Sequence, residues 1–232
     1  MAAGRPARRA PGGQRRAVPA RIADARFAID EIERRAAAGG AWARVRLGAI
    51  GFSGHSFGAR LTQALAGERP TRARRAERLG ATAEPRIRAF IAFSPGFNER
   101  DGLDDTTLAQ RFGAITRPFL AMTGTADDAM LVGDASNAAR RAVYRGLPPG
   151  QRAQLVLDGA DHASFGGGTG LSGEGRLGRR SERAVALEAQ HRALIAAISS
   201  DWWRWQLLGD ANAAARLRAP AGPAAGDLWE QG

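Results

Sequence analysis

The sequence predicts an α/β fold in which a mostly parallel sheet of about four strands is covered by helices on both faces. Short, almost wholly apolar runs recur along the chain, which is typical of strands buried on both faces of a parallel sheet. Segments with apolar residues three and four positions apart lie between these runs, which indicates amphipathic helices. Strands that alternate with helices in this way are joined by crossovers and pair in parallel.

The first predicted element is a helix. Pro19 suits a first helical turn, and Gly39 and Gly40 should end the helix. Its apolar face consists of Ile22, Ala25, Ile29, Ile32 and Ala36.

Four strands and three further helices follow. The strands are predicted over residues 45–52, 87–93, 118–123 and 154–157, each a short apolar run. The helices are predicted over residues 59–66, 137–145 and about 181–208. The last helix should pack on the sheet through Ala184, Leu187, Leu194, Ile198 and Trp202, and its Trp202, Trp203 and Trp205 cluster favours helix packing over a ligand cage.

The length of 232 residues is enough for one sizeable core, so one domain is expected. Residues 1–17 are predicted to form a disordered arm rich in Arg, Gly and Pro, because they contain too little apolar surface to offset the entropy of ordering. The α/β domain is then expected over residues 18–232.

The formal net charge of +11 raises the question of a polyanionic partner. All 34 basic residues are Arg, and they are spread along the chain with few aromatic residues between them. Nucleic acid is therefore not expected as a partner.

Other composition features exclude further classes of protein. The chain has no Cys, which excludes disulfides and Cys-based metal sites. No apolar run reaches the length of about 18 residues that a membrane span needs, so no membrane span is expected. The basic first residues lack the apolar core of a secretory signal, which leaves the cytoplasm as the default location.

Residues 54–58, Gly-His-Ser-Phe-Gly, fit the pattern G-x-S-x-G. This pattern places a serine in a tight turn between a strand and a helix, with its hydroxyl clear of the sheet. The surrounding elements agree, since a predicted strand precedes the pattern and a predicted helix follows it. Gly54 and Gly58 are expected because the turn leaves no room for side chains there. Ser56 is thus the candidate nucleophile, and a Gly-rich turn without chemistry is the alternative.

A serine nucleophile needs a base, and the chain contains three histidines. The side chain of His55 should diverge from that of its neighbour Ser56. His191 lies on the apolar stripe of the last helix and is expected to be packed there. His162 follows the last predicted strand at its carboxyl end, where α/β sheets carry their sites, and it is the candidate base.

A carboxylate is needed to orient that base. Asp127 follows the preceding strand at the same end of the sheet and is the preferred candidate, with Asp128 as the alternative because the register is open by one residue. Asp158 and Asp161 precede His162 too closely and are expected to be turn residues.

Four segments together carry a resemblance to a known family. They are Gly-His-Ser-Phe-Gly-Ala, Arg-Ile-Arg-Ala-Phe-Ile-Ala-Phe-Ser-Pro-Gly, Met-Thr-Gly-Thr-Ala-Asp-Asp and Gly-Ala-Asp-His-Ala-Ser-Phe, and the tail from Trp202 to Asp210 adds a closing helix. From about Pro19 onward the chain resembles α/β-hydrolases of the dienelactone-hydrolase-like and platelet-activating-factor-acetylhydrolase-like serine esterases.

The resemblance implies a three-layer α/β-hydrolase fold and hydrolysis of a small-molecule carboxylic ester, with short-chain acyl esters as substrates and no cofactor. Ser56 would attack the ester, His162 would shuttle the proton and Asp127 would orient His162. The N–H of Phe57 would contribute to the oxyanion hole. True dienelactone hydrolases use a cysteine nucleophile, so the first name indicates only kinship of fold.

The chain departs from the family at its N-terminal side. Only 55 residues precede Ser56, so the earlier strands of the fold and the loop that supplies a second oxyanion donor have no source. The sequence therefore predicts a partial, N-terminally shortened member of the family. Its first strand would be a sheet edge, and a homodimer formed through that edge is one expectation. A catalytically impaired remnant or interaction protein of the same fold is the alternative function.

Two other features are set aside. Gly166 to Gly170 is dense in glycine, and Gly168, Gly170 and Gly173 match G-x-G-x-x-G, but no strand leads directly into them, so a loop is expected and not a phosphate site. The spacing of Asp127, Asp128, Asp161 and His162 matches no known ligand set, so no metal is expected.

Overall fold

The protein is described by a computed structural model that covers residues 12–69, 82–96, 101–128, 136–166 and 180–232. Contacts between residues divide the chain into two compact units, Met1–Val45 and Arg46–Gly232. This division falls within the segment for which the sequence predicted one domain.

The first unit contains helix α1, Gly12–Ala38, and a short 3-10 helix, Gly40–Arg44. α1 begins within the segment predicted to be an arm, so Pro19 lies inside the helix and not in its first turn. Residues 1–11 of that predicted arm lie outside the described residues. α1 ends where it was predicted to end, because Gly39 and Gly40 adopt φ angles of 86° and 65° that a helix does not accommodate.

The second unit alternates strands with helices. Its strands are β1 (Ile50–His55), β2 (Ile87–Phe93), β3 (Phe119–Ala126), β4 (Arg152–Asp161) and β5 (Leu228–Gln231). Its helices are α2 (Phe57–Ala66), α3 (Asp105–Phe112), α4 (Asn137–Gly146), α5 (Glu182–Ala186), α6 (Glu188–Leu208) and α7 (Ala211–Arg218), and a 3-10 helix, His162–Phe165, follows β4. With α1, the described residues contain seven α-helices.

The five strands form one sheet in the order β1-β2-β3-β4-β5. β1 to β4 are parallel to their neighbours, and β5 pairs antiparallel with β4. The register places Leu120 of β3 between Ile91 of β2 and Ala153 of β4. Because β1 to β4 run in the same direction, their carboxyl ends lie at one edge of the sheet.

Helices α6 and α7 pack on the sheet through an apolar core. This core joins Ile91, Leu120, Met122, Leu155 and Leu157 of the strands to Leu194, Ile198, Trp202 and Leu217 of the two helices. Trp202 is 2 % exposed, and its ring meets the ring of Trp205 edge-on at 5.8 Å. Leu194, Ile198 and Trp202 of the predicted apolar stripe thus lie in the core, whereas Leu187 is only half-buried, and the tryptophans pack as expected.

Two further helices of the second unit, α2 and α4, also lie against the sheet. α2 contacts β1 and β2, while α4 contacts β3 and β4. The architecture is therefore α/β with a five-stranded, mostly parallel sheet, and it is compatible with a three-layer arrangement.

β1 differs from the strand predicted over 45–52. It begins at Ile50, because a turn at Leu47 and Gly48 separates it from the 3-10 helix, and it includes Ser53 and Gly54. Its residues alternate between exposed and half-buried, whereas the sequence predicted a strand buried on both faces. The physical reason is position: among the described residues β1 pairs only with β2, so it forms an edge of the sheet.

Other predicted boundaries differ from the observed ones, and three elements were not predicted. β3 and β4 extend beyond their predicted runs toward the site, and the last helix is interrupted at Leu187, whose φ and ψ angles of −95° and 3° end α5. α3, α7 and β5 were not predicted from the sequence. β5 has four residues, and the indole N–H of its Trp229 donates to the Leu217 carbonyl at 2.8 Å. A strand this short depends on such tertiary contacts, so its own four residues give too little periodicity to predict it.

Within the part of the chain that the structure describes, no helix combines the length and the apolar character needed to cross a bilayer.

Candidate active site

The carboxyl ends of three parallel strands bring the predicted site residues to one edge of the sheet. Ser56 directly follows β1, Asp127 directly follows β3 and His162 directly follows β4. Sites of open α/β sheets ordinarily lie at this edge. The fold therefore collects three side chains that are far apart in the sequence.

Ser56 occupies a sharp turn between β1 and α2. Its φ and ψ angles are 59° and −111°, a backbone conformation that residues with a side chain rarely adopt. The N–H of Ser56 donates to the Phe93 carbonyl of β2 at 3.0 Å, which anchors the turn to the neighbouring strand. Backbone strain of this kind is typical of functional residues held by the surrounding structure.

The two glycines of the motif differ in their surroundings. A Cβ at Gly54 would lie 2.4 Å from the carbonyl carbon and oxygen of Gly58, so the turn closes only with glycine at position 54. A Cβ at Gly58 would meet no heavy atom of the described residues within 4 Å. The expectation of a steric requirement is confirmed for Gly54 and is wrong for Gly58.

His162 bridges the other two side chains. Its Nε2 lies 2.8 Å from Ser56 Oγ, and its Nδ1 lies 2.8 Å from Asp127 Oδ1. A carboxylate accepts a hydrogen bond from the Nδ1–H group, which leaves Nε2 of a neutral imidazole as the acceptor for the serine hydroxyl proton. The arrangement can thus remove a proton from Ser56 and hold the resulting imidazolium beside a carboxylate.

Asp127 is buried, with 0 % of the residue exposed. Thr123 Oγ1 donates to its Oδ2 at 3.0 Å, and Arg140 Nε lies 3.0 Å from its Oδ1. Burial of a carboxylate is costly unless it is paired and hydrogen-bonded, and both carboxylate oxygens have such partners here.

Asp128 takes a different position. It is exposed, and its Oδ1 accepts the N–H of Asn137 at 2.7 Å, at the start of α4. Of the two acids left open by the sequence, Asp127 is the one beside His162.

The loop that carries His162 is held by a capping box. Asp161 Oδ1 accepts the Ser164 N–H at 3.0 Å, and the Asp161 N–H donates to Ser164 Oγ at 3.2 Å. Arg180 donates from Nε to Asp161 Oδ2 at 3.0 Å. Burial raises the pKa of Asp161, but the hydrogen bonds from Arg180 and Ser164 outweigh burial and leave that pKa below its ordinary value. The cap is therefore an ionised carboxylate at neutral pH.

His55 contacts the His162 ring, which the sequence did not indicate. The two ring centroids are 4.5 Å apart, and His55 Nε2 donates to the His162 carbonyl at 3.0 Å. Burial, and then the nearby charge of His162, lowers the pKa of His55 to about 4. His55 is therefore neutral at pH 7 and supports the backbone and ring of His162 without adding charge.

His191 lies in α6 with 2 % of its surface exposed, as expected of a packed helix histidine. Burial lowers its pKa below the ordinary value.

Arg140 of α4 is a residue near the site that sequence reasoning missed. Its side chain is 4 % exposed and contacts Asp127 as well as the ends of β2 and β4. Arginine in an amphipathic helix is ordinarily a surface residue, so nothing local to the sequence distinguishes Arg140 from its neighbour Arg141.

The expected oxyanion donor lies at the start of α2. Phe57 is the first residue after the cap residue Ser56, and the N–H groups of the first helical turn have no partner within the helix. The position suits a donor to an oxygen held above Ser56 Oγ.

Two features that the sequence analysis set aside are only partly described. Of the glycine-dense segment, residues 167–170 and Gly173 lie outside the described residues. In the described ranges, no group of three or more His, Asp or Glu side chains has the arrangement of a metal site.

Comparison with protein-family models finds no match to this chain. Comparison with curated proteins finds no match either. The case for function consequently depends on the geometry of the site.

Proposed function

We propose that this chain is a serine hydrolase that cleaves carboxylic esters through an acyl-enzyme on Ser56. The observation that carries the proposal is the continuous relay from Ser56 Oγ through His162 to Asp127, with both hydrogen-bond distances at 2.8 Å. The strained backbone of Ser56 supports the same conclusion, because a serine in a surface turn needs no such conformation.

The first half of the proposed reaction forms the acyl-enzyme. Ser56 Oγ attacks the ester carbonyl carbon while its proton passes to His162 Nε2. The carbonyl π electrons move onto oxygen, and the Phe57 N–H donates to that oxyanion. Asp127 stabilises the imidazolium. When the tetrahedral intermediate collapses, the C–O bond to the alcohol breaks and His162 returns the proton to the leaving oxygen.

The second half releases the acid. Water attacks the acyl carbon as His162 Nε2 takes one of its protons, and the new intermediate collapses with Ser56 as the leaving group. His162 then returns the proton to Ser56 Oγ. Neither half requires an oxidant, a reductant or a further co-reactant.

The order of the residues along the chain supports kinship with α/β-hydrolases. In that fold the nucleophile, acid and histidine follow one another in the sequence, and the nucleophile lies in a turn between a strand and a helix. Ser56, Asp127 and His162 follow this order at the ends of β1, β3 and β4. We therefore include a partial α/β-hydrolase fold and short-chain acyl esters in the proposal, the latter from the family resemblance alone.

One observation favours a second candidate, a catalytically impaired protein of the same fold that acts by binding. The Phe57 N–H is the single oxyanion donor that the motif supplies, and β1, which Ser56 directly follows, is one of the two edge strands of the sheet among the described residues. Loss of one oxyanion donor costs about 2.7 to 4 kcal/mol of transition-state stabilisation, or roughly a hundred- to a thousand-fold in rate.

Labelling with a fluorophosphonate tests the proposal, because this probe needs an activated serine but little substrate specificity. We expect a single adduct on the peptide that contains Ser56, located by mass spectrometry, and none on Ser56→Ala. Hydrolysis of 4-nitrophenyl acetate should fall at least about a thousand-fold in the same variant. An adduct at another serine, or full activity of Ser56→Ala, would contradict the proposal. A folded chain that shows no adduct would favour the second candidate.

The two neighbouring aspartates provide matched variants for the same assay. Asp127→Asn removes the carboxylate that orients His162 and should lower kcat by about 10⁴. Asp128→Asn changes an exposed side chain one residue away and should leave kcat within about threefold of wild type. Equal losses in the two variants would contradict the role proposed for Asp127.

A further inference from the structure

Arg140 makes five polar contacts around the relay, although its side chain is 4 % exposed. Its Nε donates to the Asp127 carbonyl at 2.7 Å and lies 3.0 Å from Asp127 Oδ1. Its Nη1 donates to the carbonyls of Ser94 and Pro95, at 2.8 Å and 3.0 Å, beyond the end of β2. Its Nη2 lies 3.4 Å from His162 Nδ1. One guanidinium thus touches the ends of three strands.

The charge of this guanidinium matters because its surroundings are buried. The Asp127 carboxylate has no exposed surface, and an unpaired charge in that position would be costly. While His162 is neutral, Arg140 supplies the positive charge that Asp127 needs. When His162 takes up a proton, Asp127 lies between two cations, which repel one another at short distance.

The nature of the contact between Arg140 Nη2 and His162 Nδ1 depends on whether Nδ1 carries a proton. If Nδ1 carries a proton for Asp127, it has no lone pair to offer, so the Arg140 Nη2 approach at 3.4 Å is a contact between two donors. Arg140 Nη2 therefore forms no hydrogen bond with a protonated Nδ1 and leaves that proton to Asp127 Oδ1 at 2.8 Å.

We propose that Arg140 is a positioning residue of the relay. It fixes the Asp127 carboxylate against His162, and its own positive charge opposes protonation of the His162 ring before the ester binds. This inference rests on the proposed function. The charged or titratable groups near the Arg140 guanidinium are Asp127, His162, His55 and the exposed Asp128, and His55 is neutral at pH 7.

The alternative is a purely structural role, in which Arg140 holds the end of β2 to the end of β3 through the Ser94, Pro95 and Asp127 carbonyls. The two roles make different predictions. A purely structural role is independent of the Asp127 carboxylate, whereas a positioning role acts through it.

The experiment combines Arg140→Met and Arg140→Lys with Asp127→Asn in a double-mutant cycle. Arg141→Met is the matched control, because Arg141 is the exposed neighbour in the same helix. We expect Arg140→Met to lower kcat/KM for 4-nitrophenyl acetate about a hundred-fold in the wild-type background but less than about threefold in the Asp127→Asn background. Equal losses in both backgrounds would overturn the proposal.

The pH profile provides a second readout. Removal of the guanidinium charge should move the acid limb of kcat/KM to higher pH by about one unit in Arg140→Met. Arg140→Lys keeps the charge but not the forked geometry, so its acid limb should stay in place while kcat falls about tenfold. An acid limb that moves equally in both variants, or in neither, would overturn the proposal.

Histidine-selective ¹⁵N NMR reports on the hydrogen bond between His162 and Asp127 without any substrate turnover. In the wild-type chain the His162 Nδ1–H should give a downfield proton signal from its hydrogen bond to Asp127, and this signal should be lost or broadened in Arg140→Lys and Arg140→Met but retained in Arg141→Met. If the wild-type chain hydrolyses no ester and yet shows this pattern, the proposed function fails and the role of Arg140 stands. If the signal is unchanged in both Arg140 variants, the role of Arg140 fails whatever the activity. Should Arg140→Met not fold, Arg140→Lys still tests the proposal through its tenfold loss of kcat and its effect on the His162 signal.

Discussion

Two serines with positive φ angles lie at the ends of adjacent strands, Ser56 after β1 and Ser94 after β2, with φ values of 59° and 53°. Each conformation is stabilised from outside its own turn. The Ser56 N–H bonds to Phe93, and the Ser94 carbonyl accepts from Arg140. Strained residues persist only where surrounding contacts over-determine them, so the site region is rigid at the level of its backbone.

At the residue scale, the lowered pKa of His55 leads us to expect a specific dependence of stability on pH. Burial lowers its pKa from 6.5 to about 4 in the folded chain, so between these values the unfolded chain binds more protons. The free energy of unfolding should therefore fall as the pH falls from 6.5 to 4, by on the order of 2 kcal/mol for this residue after allowing for its partial exposure. His55→Gln removes the titrating group. Urea unfolding at several pH values should show a weaker acid dependence in His55→Gln than in wild type.

The buried His191 also has a lowered pKa, and it is present in both proteins, so the difference between them isolates His55. Parallel pH curves for the two proteins would contradict the assignment.

At the scale of elements, capping side chains determine where several helices begin. Asp104 accepts the Thr107 N–H at the start of α3, and Asp210 accepts the Asn212 and Ala213 N–H groups at the start of α7. These helices were not predicted, although an aspartate before a helix is a recognised start signal. Their short length left too little apolar periodicity to support the signal.

The turn between β1 and α2 predicts opposite outcomes for its two glycines. Gly54→Ala places a Cβ 2.4 Å from the Gly58 backbone, which must move, so we expect destabilisation by more than about 2 kcal/mol and loss of Ser56 labelling. Gly58→Ala meets open space in the described residues and adds a better helix former, so stability should be unchanged or rise by up to about 1 kcal/mol. Thermal unfolding measures the stability of the two variants, and the labelling rate measures the reactivity of Ser56 in each. Similar behaviour of the two would refute the steric account.

At the scale of the whole molecule, many arginines are paired with acids. Such pairs join Arg86 to Glu84, Arg111 to Glu68, Arg180 to Asp161, Arg204 to Asp210 and Arg216 to Asp201. The paired arginines are distributed over helices and loops, which differs from the clustered basic face of a nucleic-acid-binding protein.

The net charge of +11 should consequently support only weak, non-specific attraction to nucleic acid. We expect fluorescence anisotropy with a labelled DNA duplex to show no dissociation constant below about 10⁻⁶ M at physiological salt. The same titration at low salt serves as the control for electrostatic attraction. A tighter constant that weakens steeply with added salt would favour nucleic acid as a partner.

Local patterns were sufficient for much of the fold. β2 matches its predicted run, Ile87–Phe93, because a run that is apolar except for Arg88 lies between clear turn signals. α2 ends at Ala66 as predicted, since Gly67 adopts the left-handed conformation with φ 113°. β1 was misplaced because apolar residues in a turn and apolar residues in a strand look alike without knowledge of the sheet.

For the site, the sequence by itself determined the candidate nucleophile from the Gly-Ser-Gly turn and the candidate base by comparison of three histidines. Only the tertiary structure decided that Asp127 and not Asp128 lies beside His162, because one residue of register decides which side chain points into the site. It also decided that His55 and Arg140 contact the relay. Local sequence fixes backbone turns and periodicity, whereas contacts between the ends of β1, β2, β3 and β4 arise only when the parallel sheet brings those ends together.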